Sequence, residues 1–213
     1  MPYIFVHGLG QTPKSWNEVV SALGVGKSCI CPDLPALVRG RAITYPNLYR
    51  SFCELCDGFP PPLHLCGLSL GGVLALQYAV DHPERTGSLV LIGTQYKMPK
   101  KLLAVQNAIF RLMPRAMFDG TGFGKQEFIR LSRTMMELDF SSGLEHVTCP
   151  VLVVCGEKDQ ANRKASVQLA EKLPNAALEV VPNAGHEVNT QAPAALAERL
   201  KPNVIKLMMK AFN

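Results

Sequence analysis

Short, almost wholly apolar segments alternate with longer amphipathic segments along most of the chain. Six segments rich in Val, Ile and Leu are apolar at nearly every position: 3–6, 28–31, 63–66, 88–92, 151–155 and 178–181. Continuous apolar runs are typical of parallel strands covered on both faces, whereas a strand with one solvent-exposed face alternates apolar and polar residues. The pattern therefore predicts six strands of a mostly parallel sheet.

Segments with helical periodicity fill the gaps between these strands. They predict helices over 15–23, 47–57, 71–81, 161–173 and 194–211. Regular alternation of strand and helix favours right-handed crossovers. The predicted fold class is therefore α/β, with a doubly wound sheet.

The alternation breaks after the fourth predicted strand. Two helical patterns, 100–113 and 125–138, follow one another there, separated by a glycine-rich stretch and with no strand between them. We expect residues 96–145 to form a small helical insertion over the sheet. Residues 1–95 and 146–213 then make up the α/β core.

Composition and charge exclude several broad classes of protein. The chain has 213 residues, of which 47% are hydrophobic and 18% charged, which suits one folded domain. No apolar stretch approaches the roughly 20 residues of a membrane-spanning helix, and no signal-peptide pattern is present. We therefore expect no membrane contact and a cytoplasmic location. The net charge of +5 is scattered rather than clustered, so we expect no nucleic-acid partner.

The seven cysteines predict free thiols rather than disulfides. Their number is odd, and the chain is too long to need a disulfide scaffold. Cys53 and Cys56 have zinc-like spacing, but no second pair matches it. We therefore expect neither a metal nor a cofactor.

A G-x-S-x-G motif joins the third predicted strand to the helix that follows it, with Ser69 at its centre. This is the nucleophile-elbow pattern, in which glycines permit a tight turn and the serine projects above the sheet. Such a turn can also be a simple connection between a strand and a helix. Its interpretation therefore depends on whether a base is available.

The chain has five histidines that could serve as that base. His186 follows the last predicted strand, at the sheet edge where sites in open α/β folds lie. Core or surface roles suffice for His64 and His82, and His146 has no obvious partner. His186 is therefore the predicted general base.

A carboxylate is expected beside this base, because it orients the imidazole and stabilises the imidazolium. Asp159 follows the fifth predicted strand, and the chain order Ser69, Asp159, His186 matches a known order of such triads. Glu157 and Glu187 are rival carboxylates.

The first predicted strand ends in His7-Gly8-Leu9-Gly10, a turn that can direct an amide towards the serine oxygen. We predict an oxyanion hole made of the backbone N–H groups of Leu9 and Leu70, because Leu70 begins the helix after the serine. His7 is interpreted as a support for the turn.

Together these motifs resemble the α/β-hydrolase superfamily, specifically its small esterase-like members with a lid. The resemblance spans nearly the whole chain and implies that residues 96–145 form a short lid over Ser69, with a small or partly exposed pocket beneath it. It also implies an N-terminally shortened version of the fold. Related dehalogenases and epoxide hydrolases have Asp in place of the serine. Residues 32–37 replace a glycine-rich turn that relatives usually have, so we expect a reshaped pocket wall.

The predicted function is hydrolysis of a small carboxylic ester or thioester through an acyl-enzyme. One alternative is a carbon–carbon bond hydrolase or a pyruvate-eliminating lyase that acts on an anionic substrate with the same triad. Another is a low-turnover ligand receptor. Residues 95–145 have eight basic and five acidic side chains, which favours an anionic substrate, although solvated lysines are the commoner cause of such an excess.

Large apolar side chains are candidates for the wall of the substrate pocket, although each one could equally pack in the core of its own element. The candidates are Trp16, Met98, Phe110, Phe128 and Met135.

Overall fold

Six parallel strands form one open sheet. The computed structural model describes residues 2–25 and 29–210, with the side chains of all of these except 102 and 202–210. The predicted element ends Ser28 and Ala211 lie outside the described residues. The strands are β1 (Tyr3–Val6), β2 (Cys29–Ile30), β3 (Leu63–Leu68), β4 (Thr86–Ile92), β5 (Val151–Gly156) and β6 (Ala176–Val181). Their order is β2-β1-β3-β4-β5-β6, which confirms the predicted fold class.

Helices connect these strands and cover the sheet. They are α1 (Asn17–Leu23), α2 (Leu34–Leu37), α3 (Tyr45–Asp57), α4 (Leu70–Asp81), α5 (Lys100–Leu112), α6 (Lys125–Met135), α7 (Gln160–Lys172), α8 (Val188–Gln191) and α9 (Pro193–Lys210). The longer helices match the predicted ones closely. The four-residue helices α2 and α8 were not predicted, because one turn is too short to show helical periodicity.

Side chains on the two faces of the sheet enter two separate hydrophobic clusters. In β1, Ile4 and Val6 belong to one cluster, and Tyr3 and Phe5 belong to the other. This alternation follows from the two-residue period of a strand and explains why both sets of positions must be apolar. The sheet is therefore buried on both faces.

Residues 96–145, the β4–β5 segment, carry the helices α5 and α6. These two helices pack against each other, and α6 also contacts α3. An isolated antiparallel bridge pairs Lys97 with Asp139 and ties the two ends of the segment together. The segment begins at the carboxyl end of β4, where the chain leaves the sheet.

Candidate active site

Ser69 occupies a strained turn between β3 and α4. Its φ of 53° and ψ of −113° lie outside the regions that non-glycine residues usually adopt. The turn is held by the Ser69 amide, which donates to the Ile92 carbonyl at 2.8 Å. A Cβ at Gly67 would lie 2.3 Å from the Gly71 carbonyl carbon, so the glycines of the motif are needed for close backbone approach.

His186 and Asp159 meet at the same end of the sheet. Nδ1 of His186 lies 2.7 Å from Oδ2 of Asp159, whose side chain is only 4% exposed. The two rival carboxylates have other partners: Glu157 accepts from the Asn183 amide, and Glu187 accepts from the Thr190 hydroxyl. Of the three acidic candidates, Asp159 is the one the structure brings to the imidazole.

The Asp159 carboxyl is kept ionised by its hydrogen bonds. Burial by itself raises the pKa of this group, but hydrogen bonds from His186 and Asn162 to the charged form outweigh burial. The pKa therefore lies below its ordinary value. An ionised carboxylate is the form that can accept a hydrogen bond from the Nδ1–H group of the imidazole, which leaves Nε2 free of the proton.

Asn162 is a further member of this cluster that sequence reasoning missed. Its side-chain amide nitrogen donates to both oxygens of Asp159 at 2.9 Å and lies 3.1 Å from Nδ1 of His186. Gln95 in turn donates to the Asn162 side-chain oxygen at 2.8 Å. The cluster therefore extends from the imidazole to the chain that follows β4.

Gly93, directly after β4, makes room for the imidazole. Its φ is +54°, and a Cβ there would lie 2.9 Å from Cε1 of His186 and 3.2 Å from Oδ2 of Asp159. Both the backbone conformation and the lack of a side chain are therefore required at this position. No local sequence signal marks it, because the contact joins three distant parts of the chain.

The turn after β1 lies close to the serine, because a Cβ built on Gly8 would be 3.6 Å from Cβ of Ser69. Leu9 and Leu70 border the same cavity as Ser69. The Leu70 amide belongs to the first turn of α4, where N–H groups have no carbonyl partner within the helix. His7 is fully buried and lies beneath this turn, with Nδ1 2.9 Å from the Gly8 carbonyl oxygen and Nε2 accepting from the Leu34 amide.

A pair of buried amides links this turn to the chain after His186. Gln11 and Asn189 exchange two side-chain hydrogen bonds of 3.0 Å, and Gln11 also accepts from the Gly8 amide. Asn189 lies in α8, three residues beyond His186. The two loops that face Ser69 are therefore fastened to each other.

Ser69, Asp159 and His186 border a cavity of about 510 Å³, a size typical of small-molecule sites. Four of the predicted pocket residues line it, namely Met98, Phe110, Phe128 and Met135. Val105 and Ile109 of α5 also line it and are more than half exposed, so the cavity is open on that side.

Trp16 is a correction to the predicted pocket. It is fully buried in the cluster on the opposite face of the sheet and packs edge-on against Phe5, with ring centroids 5.2 Å apart. The residue therefore stabilises the N-terminal part of the fold and is not among the cavity-lining residues. Residues 32–37, expected to reshape a pocket wall, contain the short helix α2 and likewise do not line the cavity.

Three basic side chains of the β4–β5 segment have partners away from the cavity. Lys97 pairs with Asp139 at 2.8 Å, Lys100 pairs with Glu137, and Lys125 donates to backbone carbonyls. Among the residues described, no Lys or Arg lines the cavity. The positive charge of this segment therefore does not supply a cationic contact to the site.

Three other features of the described residues concern membrane spans, metal sites and cysteines. Within residues 2–25 and 29–210, no helix combines the length and apolar character that crossing a bilayer requires. The same residues contain no group of three His, Cys, Asp or Glu side chains arranged to hold a metal ion. All seven cysteines are free thiols.

Comparison with known proteins agrees with this architecture. Residues 3–199 match the alpha/beta hydrolase family. A candidate carbamate hydrolase, RutD, of Caulobacter sp. strain K31 is 27% identical over 88% of this chain and 84% of its own length. A candidate 2-succinyl-6-hydroxy-2,4-cyclohexadiene-1-carboxylate synthase of Bacillus subtilis strain 168 is 29% identical over 89% of this chain and 85% of its own length.

A solved esterase from Exiguobacterium antarcticum shares the fold, with a TM-score of 0.77 at 16% identity over 96% of this chain and 91% of that one. The family match covers nearly all of the described sheet and every loop that borders the cavity. The chain therefore belongs to the alpha/beta hydrolase family and is a serine hydrolase-like enzyme.

Proposed function

We propose that the protein hydrolyses a small, neutral carboxylic ester or thioester through an acyl-enzyme intermediate. The observation that carries the proposal is the convergence of Ser69, on its strained turn, and the His186–Asp159 pair on one cavity. Ser69 is the nucleophile, His186 the general base, and Asp159 the group that orients the imidazole. The backbone N–H groups of Leu9 and Leu70 stabilise the oxyanion.

In the first half of the reaction, Ser69 Oγ attacks the carbonyl carbon and Nε2 of His186 takes the hydroxyl proton. Collapse of the tetrahedral intermediate returns that proton to the departing alcohol or thiol and leaves an acyl ester on Ser69. A water molecule, deprotonated by His186, then attacks the acyl carbon. The acid departs and the serine regains its proton, so no cofactor is consumed.

We further propose that the β4–β5 segment is a lid. Its helices α5 and α6 contribute Phe110, Phe128 and Met135 to the wall of the cavity that Ser69 also borders. An apolar wall above the serine excludes water from part of the site and strengthens its electrostatic interactions. The open side at α5 gives the substrate a path of entry.

A second candidate, carbon–carbon cleavage or pyruvate elimination from an anionic substrate, is favoured by the relative from Bacillus subtilis. The cavity argues against it, because an anion buried there would need a cationic partner and none of the described lining residues is Lys or Arg. We therefore rank a neutral substrate first.

The direct test is hydrolysis of short- and medium-chain p-nitrophenyl esters by the wild type and by Ser69→Ala. We expect Ser69→Ala to lose at least about 10³-fold in kcat/KM, because all covalent catalysis is removed. Ser166→Ala is the matched control, since Ser166 is a buried serine of α7 that does not line the cavity. Mass spectrometry after treatment with a fluorophosphonate should find the adduct on Ser69.

Two results would contradict the proposal in different ways. Labelling of Ser69 without hydrolysis of any ester would favour the carbon–carbon and elimination substrates. Absence of both labelling and turnover would favour a ligand receptor on the same fold.

A further inference from the structure

Ser132 is a buried hydroxyl in the apolar wall of the cavity. Its residue is 2% exposed, and its Oγ has no hydrogen-bond partner. In the described part of the chain, other buried side-chain polar atoms also lack a hydrogen-bond partner, in Trp16, Asn107, Ser166 and Arg199, although Nε of Arg199 lies 3.6 Å from a Glu179 carboxylate oxygen. Ser132 alone among these five residues lines the cavity.

The missing hydrogen bond is unusual for a serine in this position. A helical serine or threonine commonly donates to the carbonyl three or four residues earlier. Thr134, on the same helix α6, does so, with its hydroxyl 2.9 Å from the Leu131 carbonyl and 3.1 Å from that of Arg130. A buried hydroxyl left unpaired is costly, which indicates that Ser132 is paired when the cavity is filled.

The position of Ser132 relates this hydroxyl to the reacting end of the cavity. The Phe128 ring lies close to the turn after β1, because a Cβ built on Gly10 would be 3.6 Å from the Phe128 Cζ atom. Ser132 follows Phe128 by four residues on α6, which is about 6 Å along the helix axis. Ser132 therefore lies about one helical turn from Phe128, the residue whose ring is close to the turn after β1.

Most of the side chains that line the cavity from α4, α5 and α6 are apolar, and Gln106 is the polar exception besides Ser132 and the reacting Ser69 at the start of α4. Leu103 and Phe110 from α5, Val73 from α4, and Phe128 and Met135 from α6 all line it. A hydroxyl can donate to a neutral oxygen, whereas a carboxylate buried here would keep an unpaired charge. The surroundings thus favour a chain that is mostly hydrocarbon and carries one neutral polar group.

We propose that Ser132 Oγ binds an oxygen atom on the non-reacting chain of the substrate. The substrate class is then a neutral ester or thioester whose apolar chain bears a carbonyl, ether or hydroxyl oxygen beyond the reacting group. The inference rests on the ester hydrolysis proposed above. Ser132 is a specificity-determining residue in this scheme and takes no part in proton transfer.

The test compares p-nitrophenyl esters of straight-chain keto acids with esters of alkanoic acids of the same chain length. The ketone is moved one carbon at a time along the chain, and the ratio of kcat/KM for each matched pair is measured. At one ketone position, we expect Ser132→Ala to lower the keto-to-alkyl ratio about tenfold, because the ketone loses its donor. Ser166→Ala, a buried serine outside the cavity, should keep the wild-type ratio at every position.

A binding measurement separates this inference from the proposed function. In Ser69→Ala, which cannot form an acyl-enzyme, calorimetry with the same ester pairs should show preferential binding of one keto ester. Adding Ser132→Ala should abolish that preference. A ratio unaffected by Ser132→Ala at every ketone position, in both kinetics and binding, would overturn the inference even if all esters are hydrolysed. Preferential binding without hydrolysis would support it while contradicting the proposed function.

Discussion

The side chain of Asn162 contacts both the Asp159 carboxylate and the His186 imidazole. It donates to both oxygens of Asp159, and these bonds favour the charged carboxylate. Asn162 also has Gln95 bound to its own side-chain oxygen, which fixes the orientation of the amide. We infer that Asn162 is a positioning residue for Asp159 and His186.

Replacing Asn162 by Ala should lower kcat about tenfold and change KM less. Without these hydrogen bonds, the pKa of Asp159 rises and the carboxylate loses the donor that fixes its orientation beside the imidazole, so the chemical step slows while substrate binding is largely kept. The measurement is the pH profile of kcat for a p-nitrophenyl ester. Asn175→Ala is the control, because that asparagine binds the Thr148 carbonyl at the surface. A kcat equal to that of the wild type across the pH profile, or a KM that rises as much as kcat falls, would contradict the role.

The residues of the candidate site differ in how visible they are in the sequence. Ser69 was predictable because the glycines of a tight turn leave a local pattern, and the structure gives the steric reason for Gly67. His186 and Asp159 were predictable because each follows an apolar strand. Asn162 and Gln95 were not, since their contact joins residues 67 positions apart and depends on how α7 packs against β5, the neighbour of β4 in the sheet.

At the scale of elements, the loop after β1 and the helix α8 act as one unit. The Gln11–Asn189 pair is buried and joins residues 178 positions apart, and Asn189 also donates to the Ser15 carbonyl. The pair fixes the distance between the Leu9 amide and the loop that carries His186. An oxyanion hole depends on such preorganisation.

Asn189→Ala should therefore reduce kcat about tenfold or more and destabilise the fold by about 2 kcal/mol, because the buried Gln11 amide loses its partner. The double variant Gln11→Leu/Asn189→Leu should recover part of the stability, since neither buried side-chain amide is then unpaired, but not all of it, because the Gly8 amide loses its acceptor, and not the activity. Chemical denaturation and ester kinetics measured on all variants check both statements. Recovery of full activity in the double variant would show that the pair stabilises the fold without positioning the loops.

Element boundaries show where periodicity alone falls short. Helix α6 ends at Met135, three residues before its predicted end, because the chain turns there to pair Lys97 with Asp139. Strand β6 begins two residues earlier than predicted, and its residues alternate between partly buried and exposed. This strand lies at the sheet edge, and the side chains on one of its two faces are exposed to solvent. Edge position is a property of the topology and is not encoded in the strand itself.

At the scale of the whole molecule, the excess positive charge of residues 95–145 lies away from the candidate active site. Eight basic side chains in residues 95–145 give this region much of the net positive charge, yet several are paired at the surface and none lines the cavity. Long side chains with strongly hydrated ends remain at the surface because burial of an unpaired charge is costly. Counting charged residues could not distinguish basic side chains that line a cavity from basic side chains at the surface, because both arrangements have the same composition.

Buried histidines make the stability of the whole fold depend on pH. His64 in β3 is 3% exposed, stacks on Tyr3 with centroids 5.0 Å apart, and has Nδ1 2.9 Å from the Ser88 hydroxyl. Burial lowers its pKa from 6.5 to about 4. Burial also lowers the pKa of His7. Both histidines are therefore neutral in the folded protein at pH values where the unfolded chain has begun to bind protons.

The sign of the effect follows from this difference. Below pH 6.5, His64 binds a proton in the unfolded state, whereas in the folded state it stays neutral until about pH 4. Stability is therefore complete above the unfolded pKa and is lost as the pH falls towards the folded pKa. For a shift of this size, the free energy of unfolding should decrease by about 2 kcal/mol between roughly pH 7 and pH 5 from His64 alone.

His64→Gln removes this titration while retaining a side chain that can bond to the Ser88 hydroxyl. We expect the variant to be less stable than the wild type at neutral pH, yet to lose about 2 kcal/mol less on acidification, with the remaining slope due in part to His7. Urea denaturation at the two pH values measures both quantities. His146→Gln is the matched control, because that side chain is 62% exposed. If His64→Gln lost as much stability on acidification as the wild type, the pH dependence would have to arise from other groups, and burial of His64 would not be its cause.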